Sequence, residues 1–419
     1  MQAYLDSLHL DLHVHLEHSE MGYLVGGDPF PLVAQNLDHR EITQRRSDFS
    51  FIVRRYERQV NTGADIGVAT SITRQDNHVV SPGNGTLGCW LKVKTKSDDN
   101  WKTVALTCYH TVRPAVQGYH LGFTTHNKSD GTSVNVSKAA TLLEDSDLWT
   151  ADKEGLTPER SSNCKNMEHP TRAKHNFQLK DLRQTIADLP GADRLEEEQR
   201  VAENVSFFDQ GKQILGKVWL ASGYLRRTPS NGRLNWALVF PTAPGRVGVN
   251  RLPSKEDWVD KYLGRDCPRP GTMNGYMLPH GEQSVHELER GDRVFKTGAA
   301  TTCSVGRFNE FESVVVIKEE RYMSDRTDEG RNSREYSFIG VDGVRGVEKL
   351  GKRGDAESVV WDKEGRMLGF LFASQVPHGC DGGYSLVIPI EDVLDDIVRA
   401  SGGDIVDIRV LVPSEEQCD

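Results

Sequence analysis

The sequence predicts a mainly β protein made of two groups of short strands, with one helical insertion and a closing helix. Three observations carry this expectation. Short apolar runs rich in Val, Leu, Ile and aromatic residues recur with glycine punctuation from Gly63 onward. Helical spacing of apolar residues is confined to one internal stretch, about 176–213, and one near the C-terminus. No repeat at solenoid spacing and no low-complexity tract interrupts the pattern.

Taken in order, residues 1–62 form an N-terminal extension. Within it Leu8, Leu10, Leu12, Val14 and Leu16 alternate with His9, Asp11, His13, His15 and Glu17, the period of a half-buried strand. Asp11, His13 and His15 resemble the opening motif of metal-dependent phosphoesterases and amidohydrolases. Those barrels need alternating strands and helices that bring further ligands, and this sequence has neither. A polar strand face is expected there, with no metal site.

The first strand group spans residues 63–270, with GTLGCWLKV (85–93), TVALTCYHTV (103–112), DLWTAD (147–152), KVWLASGYL (217–225) and LNWALVF (234–240) as its clearest runs. Inside it, Leu179, Leu182 and Ile186 recur at helical spacing, Pro190-Gly191 breaks the pattern, and a Glu-rich helix follows. The second group spans residues 271–419. It holds DRVFKTG (292–298), ESVVVIKEE (312–320), ESVVWD (357–362), MLGFLFAS (367–374) and YSLVIPI (384–390). The closing helix places Ile390, Val393, Leu394, Ile397 and Val398 on one face, and Gly402-Gly403 stops it. Two strand groups with turns between them make an all-β sandwich or barrel.

Composition narrows the function classes. With 419 residues the chain suits two or three domains, and a net charge of −10 gives no basic footprint for nucleic acid. No apolar run approaches the ~20 residues of a membrane helix. The N-terminus has no basic start and no continuous apolar stretch, so no signal peptide is expected. Seven scattered cysteines without C-x-x-C spacing suit buried thiols in a reducing compartment, so an intracellular location, cytoplasmic or nuclear, is expected.

The chemistry concentrates in three places. The first is Gly351-Lys-Arg-Gly354-Asp355-Ala356-Glu357-Ser358, followed by two apolar strands and a helix. The second is His110, in Thr107-Cys108-Tyr109-His110-Thr111-Val112 at the end of a strand, and the third is Asn235, leading the strand LNWALVF. Together these resemble the motifs of chymotrypsin-like serine peptidases, most closely fungal intracellular trypsin-like proteins, over roughly residues 63–400. The resemblance implies a double β-barrel of the chymotrypsin type. His110 would be the general base, position 235 its orienter, and position 356 the nucleophile, with Asp147 as the fallback acid. The backbone N–H groups of Gly354 and Ala356 would form the oxyanion hole. Leu350 would form the base of the specificity pocket, and Ala373 and Ser374 the edge where substrate backbone adds as a strand.

Three residues depart from the motif. Ala356 stands where the family has serine, Glu357 where it has glycine, and Asn235 where it has aspartate. Ser358 is two residues on and enters the strand, so it does not replace the nucleophile. The departures leave two expectations open. One is a serine endopeptidase acting through an acyl-enzyme, here without its nucleophile. The other is a pseudopeptidase that holds a peptide or protein partner in the same groove. Neither requires a metal or organic cofactor, and both make a polypeptide the partner.

Overall fold

The computed structural model describes residues 20–23, 56–70, 72–73, 79–80, 84–119, 121–127, 133–139, 146–188, 191–250, 252–254, 272–273, 276–277, 281–316, 332–343, 346–352, 354–376 and 384–412. The strand expected around residues 8–17, with Asp11, His13 and His15, lies outside the described residues. A short strand β1 (Glu20–Tyr23) follows that stretch.

The first strand group runs β2 (Asp65–Val68), β3 (Asn84–Thr86), β4 (Cys89–Thr95), β5 (Asp98–Thr107), β6 (Asn166–Glu168), β7 (Ile214–Ala221) and β8 (Ala237–Pro241). β3 and β4 are halves of one bent strand. Leu87 N donates to Ala64 O on one side of the bend, and Gly88 N donates to Leu106 O on the other. β3 pairs with β2 and β4 with β5; β8, β7 and β6 then lead back to β2, every pairing antiparallel. Counting β3 and β4 as one strand, this is a closed barrel.

The second group runs β9 (Arg293–Gly298), β10 (Thr302–Val316), β11 (Asn332–Gly343), β12 (Val359–Trp361), β13 (Met367–Val376) and β14 (Tyr384–Pro389). Its pairings close in the order β9-β10-β11-β14-β13-β12 and back to β9. Both barrels therefore share one topology. The first three strands form a meander, and the sixth, fifth and fourth complete the ring. The chain has the chymotrypsin-like double β-barrel, established here by strand order.

Period two explains why the barrels cohere. On β4 and β5, Trp90 and Ala105 face the interior of the first barrel with Ile66, Val68, Val218 and Val239. Alternate residues Cys89, Leu91, Val93, Val104 and Leu106 face the other way, into a cluster shared with Trp361, Met367, Phe370 and Phe372 of the second barrel. Val294, Phe308, Phe338, Val360, Leu368 and Val387 fill the second barrel. Burying both faces of β4 fixes its register, since a one-residue slip would exchange the two clusters.

The helices sit outside the barrels. The insertion is α3 (Arg172–Asp188) and α4 (Gly191–Asp209), after the short helices α1 (Tyr109–Val112) and α2 (Asp147–Glu154). Residues 147–152, expected as a strand, instead belong to α2, which Ser146 caps by accepting from Trp149 N. His175 of α3 stacks on Phe208 of α4 with ring centroids 3.7 Å apart and shares a 2.7 Å hydrogen bond with the Tyr56 hydroxyl. Neighbouring Lys174 is buried and donates to the Ala299 carbonyl in the β9–β10 turn, 3.2 Å away, which ties the insertion to the second barrel. The closing helix α5 (Ile390–Ala400) adds Ile390, Val393 and Ile397 to the inter-barrel cluster. The chain then returns to the first barrel, where β15 (Ile405–Val410) pairs with β4. No described helix is long and apolar enough to cross a membrane.

Candidate functional site

Three loops converge between the barrels, each set by its place in the strand order. The first follows the third strand of the first barrel, where Cys108 in extended conformation ends β5 and α1 begins, presenting His110. The second precedes β8 and presents Asn235. The third precedes β12 and carries residues 354–358. His110, Asn235, Asp355, Ala356, Glu357 and Ser358 are all buried.

Asn235 holds His110 at two points. Its Oδ1 accepts from the His110 backbone N–H at 3.2 Å, and its Nδ2 lies 2.7 Å from His110 Nδ1. With Oδ1 committed to a backbone donor, the amide NH₂ faces Nδ1, so Nδ1 accepts and the imidazole proton resides on Nε2. A general base needs the reverse, a lone pair on Nε2 and the proton on Nδ1.

Nε2 in turn faces Glu357, whose Oε1 is 2.9 Å away. The same oxygen accepts from Thr111 Oγ1 at 2.7 Å, and Oε2 accepts from the Thr86 backbone N–H at 2.6 Å. Two features make room for this carboxylate. Residue 357 has φ 75°, a left-handed conformation that favours glycine, and this sends its side chain toward the first barrel. Gly85 lies opposite, and a Cβ there would come within 1.8 Å of Oε2.

Ala356 lies in the apolar cluster of the second barrel with Val294, Leu350, Val360 and Leu371. Its carbonyl accepts from Thr86 N at 3.0 Å, and Glu357 N donates to Leu371 O, so the loop is stitched to both barrels. Gly354 has φ 98° and its carbonyl accepts from Thr86 Oγ1. Ser358 donates its hydroxyl to the Asp355 carbonyl at 2.6 Å. Asp147 is exposed at the start of α2. Leu350 belongs to the same cluster as Ala356. Ala373 and Ser374 are buried on β13, Ser374 sharing a 2.9 Å hydroxyl contact with Ser385.

Sequence reasoning missed two partners. Asp355 makes a fully buried ion pair with Lys296, Oδ2 to Nζ 3.1 Å. It also accepts from Ala300 N, Thr301 N, Thr301 Oγ1 and Lys352 N. Burial pushes the Asp355 carboxyl up, but the Lys296 ammonium and these hydrogen bonds outweigh it and hold the group below the usual carboxylate range. The second missed partner is Glu357 on His110. Its only signal in the sequence was an acid in a glycine position.

Cys108, His110 and Glu357 are the one set among the described residues whose ligand atoms lie close enough, within 4.8 Å of one another, to share a metal ion. The donor set fits poorly. Both carboxylate oxygens already accept hydrogen bonds, and burial together with the Glu357 charge pushes the Cys108 thiol well up, away from the thiolate a metal needs.

No family model and no curated protein matches the chain. Among solved structures it is similar to protease A of Thermobifida fusca, with a TM-score of 0.36, 11% identity, and 85% of this chain and 100% of that one covered. A glutamic-acid-specific serine protease gives a TM-score of 0.36 at 10% identity, covering 84% of this chain and 100% of that one. A Nocardiopsis protease gives 0.35 at 9% identity, covering 84% and 98%.

Proposed function

We propose that this chain is a pseudopeptidase, a peptide- or protein-binding module on a trypsin-like scaffold that does not cleave what it holds. The observation that carries the reading is the Glu357 carboxylate against His110 Nε2, the atom that a catalytic serine would need as its base. Asn235 supports the same conclusion, because its amide facing Nδ1 leaves the imidazole proton for Nε2. Gly85 supports it a third time: a glycine that leaves room for Glu357 belongs to a fold adapted to that acid, not to a peptidase altered at one position. On this reading the edge of β13 at Ala373 and Ser374 is the surface for an extended polypeptide, and no cofactor enters.

The alternative is a serine endopeptidase lacking only its nucleophile. What favours it is the intact frame: the backbone and ring of His110 both held by residue 235, and the Gly354-Asp355 loop anchored on Lys296. In that case a serine at position 356 would attack the scissile carbonyl, His110 would take its proton, and the backbone N–H groups of residues 354 and 356 would hold the oxyanion.

A fluorophosphonate probe separates the two when applied to the unaltered chain, Ala356→Ser and Ala356→Ser/His110→Ala, each checked for native folding by circular dichroism. The pseudopeptidase reading expects no labelling of Ala356→Ser above the unaltered chain. His110-dependent labelling of that single variant would overturn it.

A further inference from the structure

We propose that residues Glu20–Tyr23 act as an internal ligand, occupying in cis the sheet edge beside the candidate site and closing it to extended polypeptides. This rests on the binding-module reading above and adds how that site is regulated.

β13 spans Met367–Val376, but β12 covers only its first part, with Val359 opposite Phe370, Val360 opposite Gly369 and Trp361 opposite Met367. The loop bearing Glu357 extends the cover by one residue, through Glu357 N to Leu371 O and Leu371 N to Ser358 O. Beyond Leu371 the strand projects past its neighbour. On its other flank β14 pairs with Ala373 and Ser374. The flank on the β12 side is therefore an edge, and it starts where the Glu357 loop ends.

β1 fills that edge. Glu20, Met21, Gly22 and Tyr23 pair antiparallel with Val376, Gln375, Ser374 and Ala373. Since Ala373 and Ser374 pair with β14 as well, β1 must lie on the opposite flank, in line with β12. A sheet edge is a template for any extended backbone, and main-chain pairing sets the affinity while side chains set the choice. The chain's own segment is always present at high effective concentration, so a free peptide must displace it. What β1 covers is a four-residue antiparallel slot, and an extended segment similar to Glu20–Tyr23 is the partner that fits it.

The test uses the full chain and a Met21→Pro/Gly22→Pro variant, because two adjacent prolines remove whichever central N–H of β1 faces β13 and change no residue of either barrel. Amide exchange is followed at residues 373–376, and binding of a fluorescent synthetic peptide of residues 16–27 by anisotropy. The expected result is exchange at 373–376 at least about tenfold faster in the variant, with an unchanged melting curve. Peptide binding should also be at least about tenfold tighter than to the unaltered chain. Equal exchange in the two proteins would overturn the internal-ligand inference. So would protection in the unaltered chain that disappears on dilution, since the strand would then come from a second copy. Faster exchange without peptide binding would leave β1 as the cover of this edge and overturn instead the reading of the groove as a peptide site.

Discussion

Replacing Lys296 with methionine should destabilise the chain by about 3–5 kcal/mol at neutral pH, because it leaves the buried Asp355 carboxylate without its cation. Lys296 and Asp355 side chains are both fully excluded from solvent, with Nζ 3.1 Å from Oδ2. Methionine fills most of the space of the lysine stem, so the cavity contribution is small and the loss reports on charge. The four hydrogen bonds that Asp355 accepts from Ala300, Thr301 and Lys352 stay in place and limit the loss to the lower part of that range. Protonation provides the control. In the unaltered chain the Asp355 pKa is depressed, so its contribution to stability is present above the unfolded value of about 3.9 and is lost as pH falls through the folded value. In Lys296→Met the burial remains without the ammonium, so the carboxyl takes up its proton at a higher pH than in the unaltered chain. The difference between the two proteins, read from urea unfolding followed by tryptophan fluorescence, should be greatest near pH 7 and shrink as the pH approaches 4. Adding Asp355→Asn to Lys296→Met should recover at least about half of the loss, because no charge then remains buried. A cost below about 1 kcal/mol, or one independent of pH, would refute the assignment of this pair as the anchor of the Gly354–Ser358 loop.

Three further outcomes follow from the same contacts. Glu357→Gly and Glu357→Ala remove the same carboxylate, but alanine keeps the left-handed strain at φ 75°; after allowing for glycine's greater freedom in the unfolded chain, Glu357→Gly should be the more stable by about 1 kcal/mol in urea unfolding. Burial pushes the Glu335 carboxyl up to about 7, so the folded state holds its proton longer than the unfolded chain and stability declines as pH rises from about 4.5 to 7. Glu335→Gln should reduce that slope, leaving a residue due to Glu168, which burial also pushes up to about 7, and unfolding midpoints at pH 5 and pH 8 measure it. Asp152 accepts from Tyr109 Oη at 2.7 Å and from Arg113 Nε and Nη2 at 2.8 and 2.6 Å, beneath the helix that carries His110; Asp152→Ala should cost about 3–5 kcal/mol by stranding a buried guanidinium, as read by thermal unfolding.

The barrels were legible in the sequence because their cause is local. Glycine-punctuated runs and period-two alternation, as in Cys89, Leu91 and Val93 against Trp90, state both the strand and its two faces. The insertion was legible for the same reason, since Leu179, Leu182 and Ile186 share a helical face and Pro190-Gly191 breaks it. What was not legible depends on distant coincidence. Glu357 reaches His110 only because its backbone is left-handed and because Gly85, remote in sequence, lacks a Cβ. Lys296 reads as the polar face of a strand until Asp355 is placed beside it. The return of β15 to the first barrel is equally silent in sequence, because its alternation fits either sheet. The motif placed attention on position 356, whereas the side chain in contact with the histidine belongs to the next residue.

Asn235 and Glu357 are best understood as one adaptation, and the proton on His110 tests it. The His110 ring lies between the Asn235 amide and the Glu357 carboxylate, which also accepts from Thr111 Oγ1 and Thr86 N. An aspartate at position 235 would put a second carboxylate on the other side of the ring. Two buried carboxylates flanking one ring repel each other, and an uncompensated buried charge costs several kcal/mol. Asparagine therefore makes Glu357 tolerable, and with the Glu357 carboxylate lying against Nε2 a serine at 356 has no base to use. In ¹⁵N NMR of the unaltered chain at neutral pH, His110 should show a protonated Nε2 and a bare Nδ1. In Asn235→Asp, Nδ1 should become protonated toward the new carboxylate, and in Asn235→Asp/Glu357→Gly it should remain so with Nε2 bare. If the unaltered chain already carries its proton on Nδ1, with Nε2 bare, then Asn235 does not set the tautomer and the two residues are not coupled through the ring.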